Sequence, residues 1–237
     1  MDTIIVDSKA WTPRYLPGLK CWYDASDSSS LTLSGLNVTQ WEDKSGLGNH
    51  WIQAVSDRQP LYDDTINGRP AVRFLAHRMS TVSSFDYNNH LMLCVSKLSV
   101  DSDYIGSGNF DGGAWSMFWQ GRIRAHYILA PINDVDSSSS FISGDQCVMG
   151  QHKTSTTLSA VANGIYTSSA LTGTSLNVYP FSCGRNNITG TMGEVLFCNA
   201  LCSQSDVDKA VGYLHHNWGL QSSLPMSHPY KNNRPYV

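Results

Sequence analysis

The sequence predicts an all-β protein, either a sandwich or a barrel, that carries one short C-terminal helix at about residues 204–218. Short apolar runs recur along the 237 residues, and clusters of Gly, Asn, Asp and Ser separate them, as is typical of strands joined by turns. Hydrophobic residues make up 41% of the chain, which is enough for one domain with a sizeable core. No repeat at a period of about 20–50 residues is visible, which excludes solenoids and propellers.

The predicted strands are the apolar runs, taken in chain order. They cover residues 19–23, 71–74, 90–98, 115–119, 122–129, 158–162, 176–179 and 194–198. In the run 122–129, apolar and polar residues alternate, and this period of two marks a strand with one face in water. Two polar segments, 101–106 and 134–140, are predicted to be turns. The first of them echoes half of a calcium loop but lacks the ligands at the loop's fifth and twelfth positions.

The predicted helix begins after Ser203, because Ser203 and Asp206 match a capping box with Asp in place of Glu. Its apolar residues recur at helical spacing and form one face. They are Val207, Ala210, Val211, Leu214 and Trp218. Gly219 follows as a C-terminal stop, and we expect the apolar face to lie against a sheet edge or an open end. The large side chains of Trp22 and Trp41 are predicted, like Trp218, to be core residues.

The cysteines are predicted to be reduced and buried. There are six of them, at positions 21, 94, 147, 183, 198 and 202. Their spacing is irregular, and several lie inside apolar runs, where a thiol behaves as a small hydrophobic group. A disulfide framework is the less favoured alternative. Cys198 and Cys202 lack a second close pair or a nearby histidine, so no zinc site is predicted.

Charge and hydropathy exclude two classes of partner. The net charge is -3 and the isoelectric point is about 6.2, so no basic surface is expected to gather nucleic acid. No window approaches the roughly 20 apolar residues of a membrane helix, so no membrane insertion is expected. The first residues lack the basic start and long apolar stretch of a secretory signal, so we expect synthesis in the host cytoplasm without a signal peptide.

Three passages, taken together and in order, resemble a known family. They are LPGLKCWYDASD (16–27), then WEDKSGLGNH (41–50) with GRPAVRF (68–74), then GEVLFCN (193–199) with GYLHHNWG (212–219). They resemble the laminin-G-like, concanavalin A-like jelly-roll domains of phage tail and virion proteins and of bacterial surface proteins. The resemblance spans about residues 16–230 and implies a sandwich of two antiparallel sheets. It departs from the family after Phe74, where residues 75–79 replace the usual Asp-Gly turn.

The resemblance implies recognition more often than catalysis. We therefore expect a non-catalytic bacteriophage virion surface protein, a capsid decoration or tail-fibre component, that recognises glycans in host attachment. Its expected partners are other virion proteins and host cell-surface glycans, and it is expected to be an oligomer on the particle. The alternatives are a stand-alone carbohydrate-binding lectin module and a glycoside hydrolase on the same fold.

The chain is predicted to contain one domain with two extensions. Residues 1–15 form an N-terminal arm, 16–223 the jelly-roll sandwich and 224–237 a Pro-rich C-terminal tail. The extensions are expected either to reach a neighbouring subunit or to pack on their own domain.

No catalytic residues are predicted. Retaining glucanases of this fold place two carboxylates about 5 Å apart on one strand. The chain has only two glutamates, Glu42 and Glu194, and they lie on separate segments. No aspartate pair stands out by its spacing, and motifs for a nucleophile elbow, a zinc protease or a phosphate loop are missing from the sequence.

The aromatic stretch 104–127 is the predicted glycan site. Sugars bind on aromatic faces, with Asp and Asn fixing the hydroxyl groups. The candidate residues are Asn109, Asp111, Trp115, Trp119 and Tyr127. Trp115 and Trp119 share one face of a strand because side chains alternate. The alternative is that these aromatic side chains simply fill the core.

The loop 43–49 is the second candidate site. Asp43 and Asn49 can bond to nearby backbone amides, which favours a structural loop. The alternative is a cation site, with calcium held by these two side chains and by backbone carbonyls. No cofactor other than this calcium is expected.

Overall fold

The structure is a computed structural model, and it describes residues 9–99, 102–107, 113–127, 132–171 and 178–237. These residues form fifteen strands and the α-helix α1, Gln204–Trp218, which was predicted at the same position. The strands are β1 (Leu19–Asp24), β2 (Leu31–Ser34), β3 (Asn37–Trp41), β4 (Trp51–Ile52), β5 (Leu61–Ile66), β6 (Arg69–Asp86), β7 (His90–Lys97), β8 (Ser102–Ser107), β9 (Ala114–Trp119), β10 (Arg122–Tyr127), β11 (Asn133–Asp136), β12 (Gln146–Lys153), β13 (Thr157–Ala162), β14 (Ile165–Ala170) and β15 (Val178–Cys198).

The strands pair antiparallel in two facing layers. The first layer runs β14-β13-β12-β7-β15, with β1 and the first half of β6 beside β15 and with β5 at the edge. The second layer runs β2-β3-β4-β6-β15-β8-β9-β10-β11. Strands β6 and β15 are 18 and 21 residues long and pass from one layer to the other. The predicted sandwich of two antiparallel sheets is confirmed.

The main core lies between the two layers and is rich in aromatic rings. Trp51 stacks on Tyr23 with ring centroids 4.3 Å apart, and Phe181 stacks on Phe197 at 4.5 Å. Trp41, a predicted core residue, is fully buried among them. Rings of this size bury the largest apolar areas of any side chain, so they dominate the hydrophobic stabilisation of the sandwich.

A second core lies between helix α1 and the outer surface of the first layer. All five residues of the predicted apolar helix face are fully buried there, and Trp22 packs in the same core with 8% of its surface exposed. The predicted capping box is present, because Ser203 Oγ accepts a hydrogen bond from Asp206 N at 3.2 Å and Asp206 Oδ2 accepts one from Ser203 N at 2.9 Å. Gly219 ends the helix with a φ of 68°. No helix of the described residues is long and apolar enough to cross a bilayer.

The turn predicted at 101–106 is wrong, and the turn predicted at 134–140 is wrong over residues 134–136, because these residues are in strands; residues 137–140 are irregular, as expected of a turn. The two strands are β8, Ser102–Ser107, and β11, Asn133–Asp136. The two aspartates of β11 pair across the sheet with basic side chains of β10, so an edge strand accommodates residues that usually favour turns. Residues 128–129 and 176–177 of two predicted strands, and 1–8 of the predicted arm, lie outside the described residues.

All six cysteines are buried free thiols, as predicted. Burial away from water disfavours a thiolate, and it raises the pKa of Cys94 to about 12. The thiols therefore act as small apolar groups inside the two cores.

The described part of the N-terminal arm pairs with the C-terminal tail. Ala10 forms a β-bridge with Tyr236, and Trp11 N donates a hydrogen bond to Pro235 O at 3.1 Å. Trp11 and the tail residue Leu224 are both buried in the second core. These parts of the two extensions thus pack on their own domain.

Candidate functional site

The outer face of strands β9, β10 and β11 carries the candidate site, which we call the outer-face site. On β9, Ala114 and Phe118 point into the main core, so Trp115, Met117 and Trp119 lie on the opposite surface. Cross-strand pairing places the basic residues of β10 on that same surface. The surface therefore combines aromatic and charged side chains on rigid strands.

Four charged or polar side chains form a continuous network on this face. Arg124 makes a bidentate pair with Asp136, with Nε–Oδ1 and Nη2–Oδ2 distances of 2.6 and 2.9 Å. Its Nη1 lies 3.3 Å from Asp134 Oδ2, and His126 Nδ1 hydrogen-bonds to the other oxygen of Asp134. Arg124 and Asp134 each have two partners, and Asp136 is held by a bidentate pair, so the planar guanidinium and the carboxylates have fixed orientations.

Arg124 and Asp134 keep their charges at neutral pH. The hydrogen bond with His126 holds the pKa of Asp134 below its ordinary value, and that with Asp136 raises the pKa of Arg124. The carboxylates of Asp134 and Asp136 remain 37% and 38% exposed, so their free lone pairs face solvent. Such oxygens can accept hydrogen bonds from the hydroxyl groups of a ligand.

Trp119 supplies an exposed aromatic surface at the tip of the β9–β10 hairpin. Its side chain is 40% exposed, and it pairs across the hairpin with Arg122. The two-residue turn between them has positive φ at both positions, 48° at Gln120 and 74° at Gly121, which is the geometry of a tight hairpin. Arg124 lies two residues beyond Arg122 on the same face, so it is the diagonal cross-strand neighbour of Trp119, at about 7–8 Å between the backbones.

The predicted glycan residues have different environments. Trp119 is exposed, whereas Trp115 and Tyr127 are fully buried and present no ring face to solvent. Trp115 covers Gly106, and its Nε1–H is buried with no acceptor among the described residues. Asn109 and Asp111 lie outside the described residues. For Trp119 the glycan-binding role stays a prediction.

The sequence analysis missed Arg124, Asp134 and Asp136. The alternation in β10 did indicate a wet face, but Asp134 and Asp136 were assigned to a turn. Their spacing of two residues, the same as the spacing of the basic residues on β10, was the available signal.

Asp43 and Asn49 organise their loop. The carboxylate of Asp43 accepts hydrogen bonds from Trp22 N at 2.9 Å, Ser45 N at 2.8 Å and Asn49 N at 3.1 Å. Asn49 Nδ2 donates to Lys20 O at 2.9 Å. These contacts match the structural alternative, because a cation at Asp43 would displace N–H groups that already satisfy its oxygens. Among the described residues, no cluster of three metal-ligating side chains is present.

Glu194, one of the two glutamates, is sealed beneath helix α1. Its oxygens accept hydrogen bonds from Trp22 Nε1 at 2.8 Å, Asn217 Nδ2 at 2.7 Å and Trp218 Nε1 at 2.8 Å. Burial raises its pKa to about 7, and the nearby carboxylate of Asp24, its cross-strand partner, acts in the same direction. Both oxygens of Glu194 accept hydrogen bonds and its side chain is fully buried. The pair formed by Glu194 and Asp24 therefore leaves no room for a substrate.

The chain matches no protein-family model and no curated protein in sequence. Several solved structures share its fold. Domain 4 of the extracellular GH43 arabinanase AbnA from Geobacillus stearothermophilus, in complex with arabinotriose, has a TM-score of 0.59 and 14% identity over 81% of this chain and 97% of that one. Trypanosoma rangeli sialidase in complex with sialic acid has a TM-score of 0.57 and 13% identity over 84% of this chain.

The third similar structure is the binding domain of Paraclostridial Mosquitocidal Protein 1, with a TM-score of 0.57 and 11% identity over 85% of this chain and 53% of that one. The chain spans about a third of the length of the sialidase, at 33%. At these identities the likeness shows a shared β-sandwich fold and does not transfer a function.

Proposed function

We propose that this chain is a non-catalytic carbohydrate-binding β-sandwich and that the outer-face site holds the sugar. The observation that carries the proposal is the 40% exposed ring of Trp119 beside the bidentate pair of Arg124 and Asp136. A sugar ring has an apolar face of C–H groups and an equatorial rim of hydroxyl groups. An exposed indole next to fixed planar acceptors and donors matches both surfaces.

The solved neighbours support the class of ligand. Domain 4 of the arabinanase is in complex with arabinotriose, and 97% of that domain is covered in the comparison. A sandwich of this size and shape therefore accommodates a sugar ligand in at least one other protein. The residues that would do so here are this chain's own, since the two sequences are only 14% identical.

We propose that the protein does not hydrolyse its sugar. Glu194 is fully buried with both oxygens occupied, while Glu42 is exposed on another segment. The outer-face carboxylates are engaged by Arg124 and His126, which favours them as charged acceptors over a proton-donating acid. The glycoside hydrolase alternative predicts turnover of a polysaccharide by the purified chain.

We also propose the bacteriophage virion surface as the place of action, in capsid decoration or host attachment. The three passages that resemble phage and bacterial surface domains support this placement. Other virion proteins and host cell-surface glycans are then its partners, and an oligomer is expected. Capsid or tail genes beside its own gene would support the placement, and a neighbourhood of host metabolic genes would contradict it.

Glycan binding is tested with the purified chain on a panel of oligosaccharides, with calcium and with a chelator. Trp119→Ala is expected to raise the Kd for the bound glycan about tenfold, because a sugar covering about 60 Å² of the indole gains about 1.5 kcal/mol. Tyr15→Ala is the matched control, since Tyr15 is also 40% exposed but lies outside this face. Equal binding by Trp119→Ala and the unmodified protein would refute the assignment of the site.

The same titration also tests whether the loop 43–49 binds calcium. If the loop 43–49 is structural, the chelator leaves the Kd unchanged. A loss of binding with the chelator that calcium restores would instead support a cation site at Asp43 and Asn49.

A further inference from the structure

A polar cleft lies on the other layer, on the surface that helix α1 partly covers. Its volume is about 270 Å³. Along β7, every second residue from Leu91 to Val95 packs against the helix, and Lys97 continues this row beyond the helix into the cleft. We call it the β7-end cleft. Its polar lining comprises Asp64, Arg73, Lys97, Ser99, Ser143, Thr189 and Thr191.

Two cations stand on either side of one threonine in this cleft. Thr191 on β15 is the cross-strand partner of Arg73 on β6 and of Lys97 on β7. Neighbouring strands lie about 4.8 Å apart, so the three side chains form a row of about 10 Å across the floor. The residues of this row come from three strands and are distant in sequence.

Each cation keeps a free donor. Arg73 binds Asp63 through Nε and Nη2, so its Nη1 makes no hydrogen bond with a described residue. Lys97 Nζ donates to Asp64 Oδ1 at 2.6 Å and to Thr65 O at 3.3 Å, which leaves the third N–H of the ammonium. Both side chains line the cleft, so these donors are available to a ligand.

The local charge limits the negative charge that a ligand can carry. Asp63 and Asp64 already balance Arg73 and Lys97, and the pairs are 21–32% exposed. A phosphate carries about −1.5 to −2 and would add excess negative charge, whereas one carboxylate can share the two free N–H donors. The hydroxyl groups of Ser99 and Ser143 also line the cleft, and Thr191 Oγ1, which donates to Asp64 Oδ2 at 2.6 Å, can still accept a hydrogen bond.

The size favours one small ring. Pockets for drug-sized ligands span about 300–1,000 Å³, and this cleft is below that range. A volume of about 270 Å³ leaves room for one monosaccharide unit. Gly144 of the lining, where an added Cβ would meet nothing within 4 Å, has no side chain that would fill the space.

We propose that the β7-end cleft is a second ligand site, which binds one acidic sugar unit of the uronic acid type. The carboxylate lies between Arg73 and Lys97, and the ring hydroxyl groups face the serines and Thr191. This inference is independent of the outer-face site, because the two sites lie on different layers and share no residue.

The test is a calorimetric titration of the full chain with methyl glucuronide, methyl glucoside and inorganic phosphate at low salt. The unmodified protein is expected to bind the glucuronide at least tenfold more tightly than the other two. Arg73→Gln is expected to weaken glucuronide binding at least tenfold, and Arg58→Gln, an exposed arginine elsewhere, is expected to leave it unchanged. Arg73 is in an exposed ion pair, so this variant is expected to fold normally.

A second variant provides an independent test of the β7-end cleft. Lys97→Gln, checked for folding by its Tm, is expected to weaken glucuronide binding as Arg73→Gln does, and Tyr15→Ala to leave it unchanged. Glucuronide binding that neither Arg73→Gln nor Lys97→Gln weakens, or tighter binding of phosphate than of glucuronide, would overturn the proposal. Failure here is distinguishable from failure of the outer-face site, because Arg73→Gln and Lys97→Gln change the β7-end cleft alone.

Discussion

Glu194 gives the sharpest test of the packing between helix α1 and the first layer. Three N–H donors, from Trp22, Asn217 and Trp218, converge on its two oxygens. In Glu194→Gln the shape is kept, but the amide has only one acceptor oxygen. One donor is then left facing an NH₂ group, so we expect a constant loss of stability of about 1–3 kcal/mol for a buried unsatisfied donor.

Glu194→Gln also removes an ionisable group, and with it that group's contribution to the pH dependence of stability. The pKa of Glu194 is raised from its ordinary value of 4.5 to about 7, first because it is buried and then because Asp24 is near. The folded protein therefore binds more protons than the unfolded chain between pH 4.5 and 7, and its stability falls as the pH rises through this window. At about 1.4 kcal/mol for each tenfold change, the loss above pH 7 is about 3 kcal/mol.

Two buried histidines titrate in the opposite direction. Burial lowers the pKa of His90 to about 3 and that of His215 to about 4. Both are neutral in the folded protein, so their contribution is present above pH 6.5 and is lost as the pH falls toward these values. The pH profile of the unmodified protein alone therefore mixes opposing effects.

The difference between the two proteins isolates Glu194. Urea unfolding is measured at several pH values between 4.5 and 8 for the unmodified protein and for Glu194→Gln, because the histidines are common to both. The free energy of unfolding of the unmodified protein is expected to fall by about 3 kcal/mol relative to the variant across this range. A difference that does not change with pH would refute the reasoning that the carboxyl group is buried and neutral at low pH.

Three further predictions concern packing, capping and the thiols. Gly150→Ala is expected to lower the free energy of unfolding by at least about 3 kcal/mol or to prevent folding, because a Cβ would lie 1.9 Å from Met92 O. Gly48→Ala is the control: nothing lies within 4 Å of its Cβ, so we expect a loss of only about 1–2 kcal/mol for its positive φ. Both values are measured by urea unfolding. Ser203→Ala is expected to lower the free energy of unfolding by about 1 kcal/mol through loss of the cap, and a Tm equal to that of the unmodified protein would contradict it. The six thiols are expected to react with a thiol reagent only after denaturation, and a reducing agent is expected to leave the Tm unchanged.

Local signals in the sequence were sufficient for the helix and for most strands. The capping pair, the apolar face and Gly219 specify α1 at Gln204–Trp218, because each acts within a few residues along the chain. The turn prediction failed at residues 134–136 for a related reason. Acidic residues favour turns locally, but partners on β10, which the sequence does not place beside them, stabilise them in β11.

The outer-face site also shows which features the sequence predicts and which only the tertiary structure decides. Alternation placed Trp115 and Trp119 on one face of β9, yet one is fully buried and the other 40% exposed. Alternation determines the face of a strand, whereas the neighbours above that face decide exposure. Similarly, the long crossing strands β6 and β15 have no distinct local signature.

The sequence by itself determined the all-β class, the helix and its caps, the reduced thiols and the polar surface of β10, because these depend on composition and short-range periodicity. Only the tertiary structure decided which aromatic side chains reach solvent and that Arg73, Thr191 and Lys97 form one row. Such a row depends on the register between strands that are far apart in the chain, and this register is set by the packing of the whole sandwich.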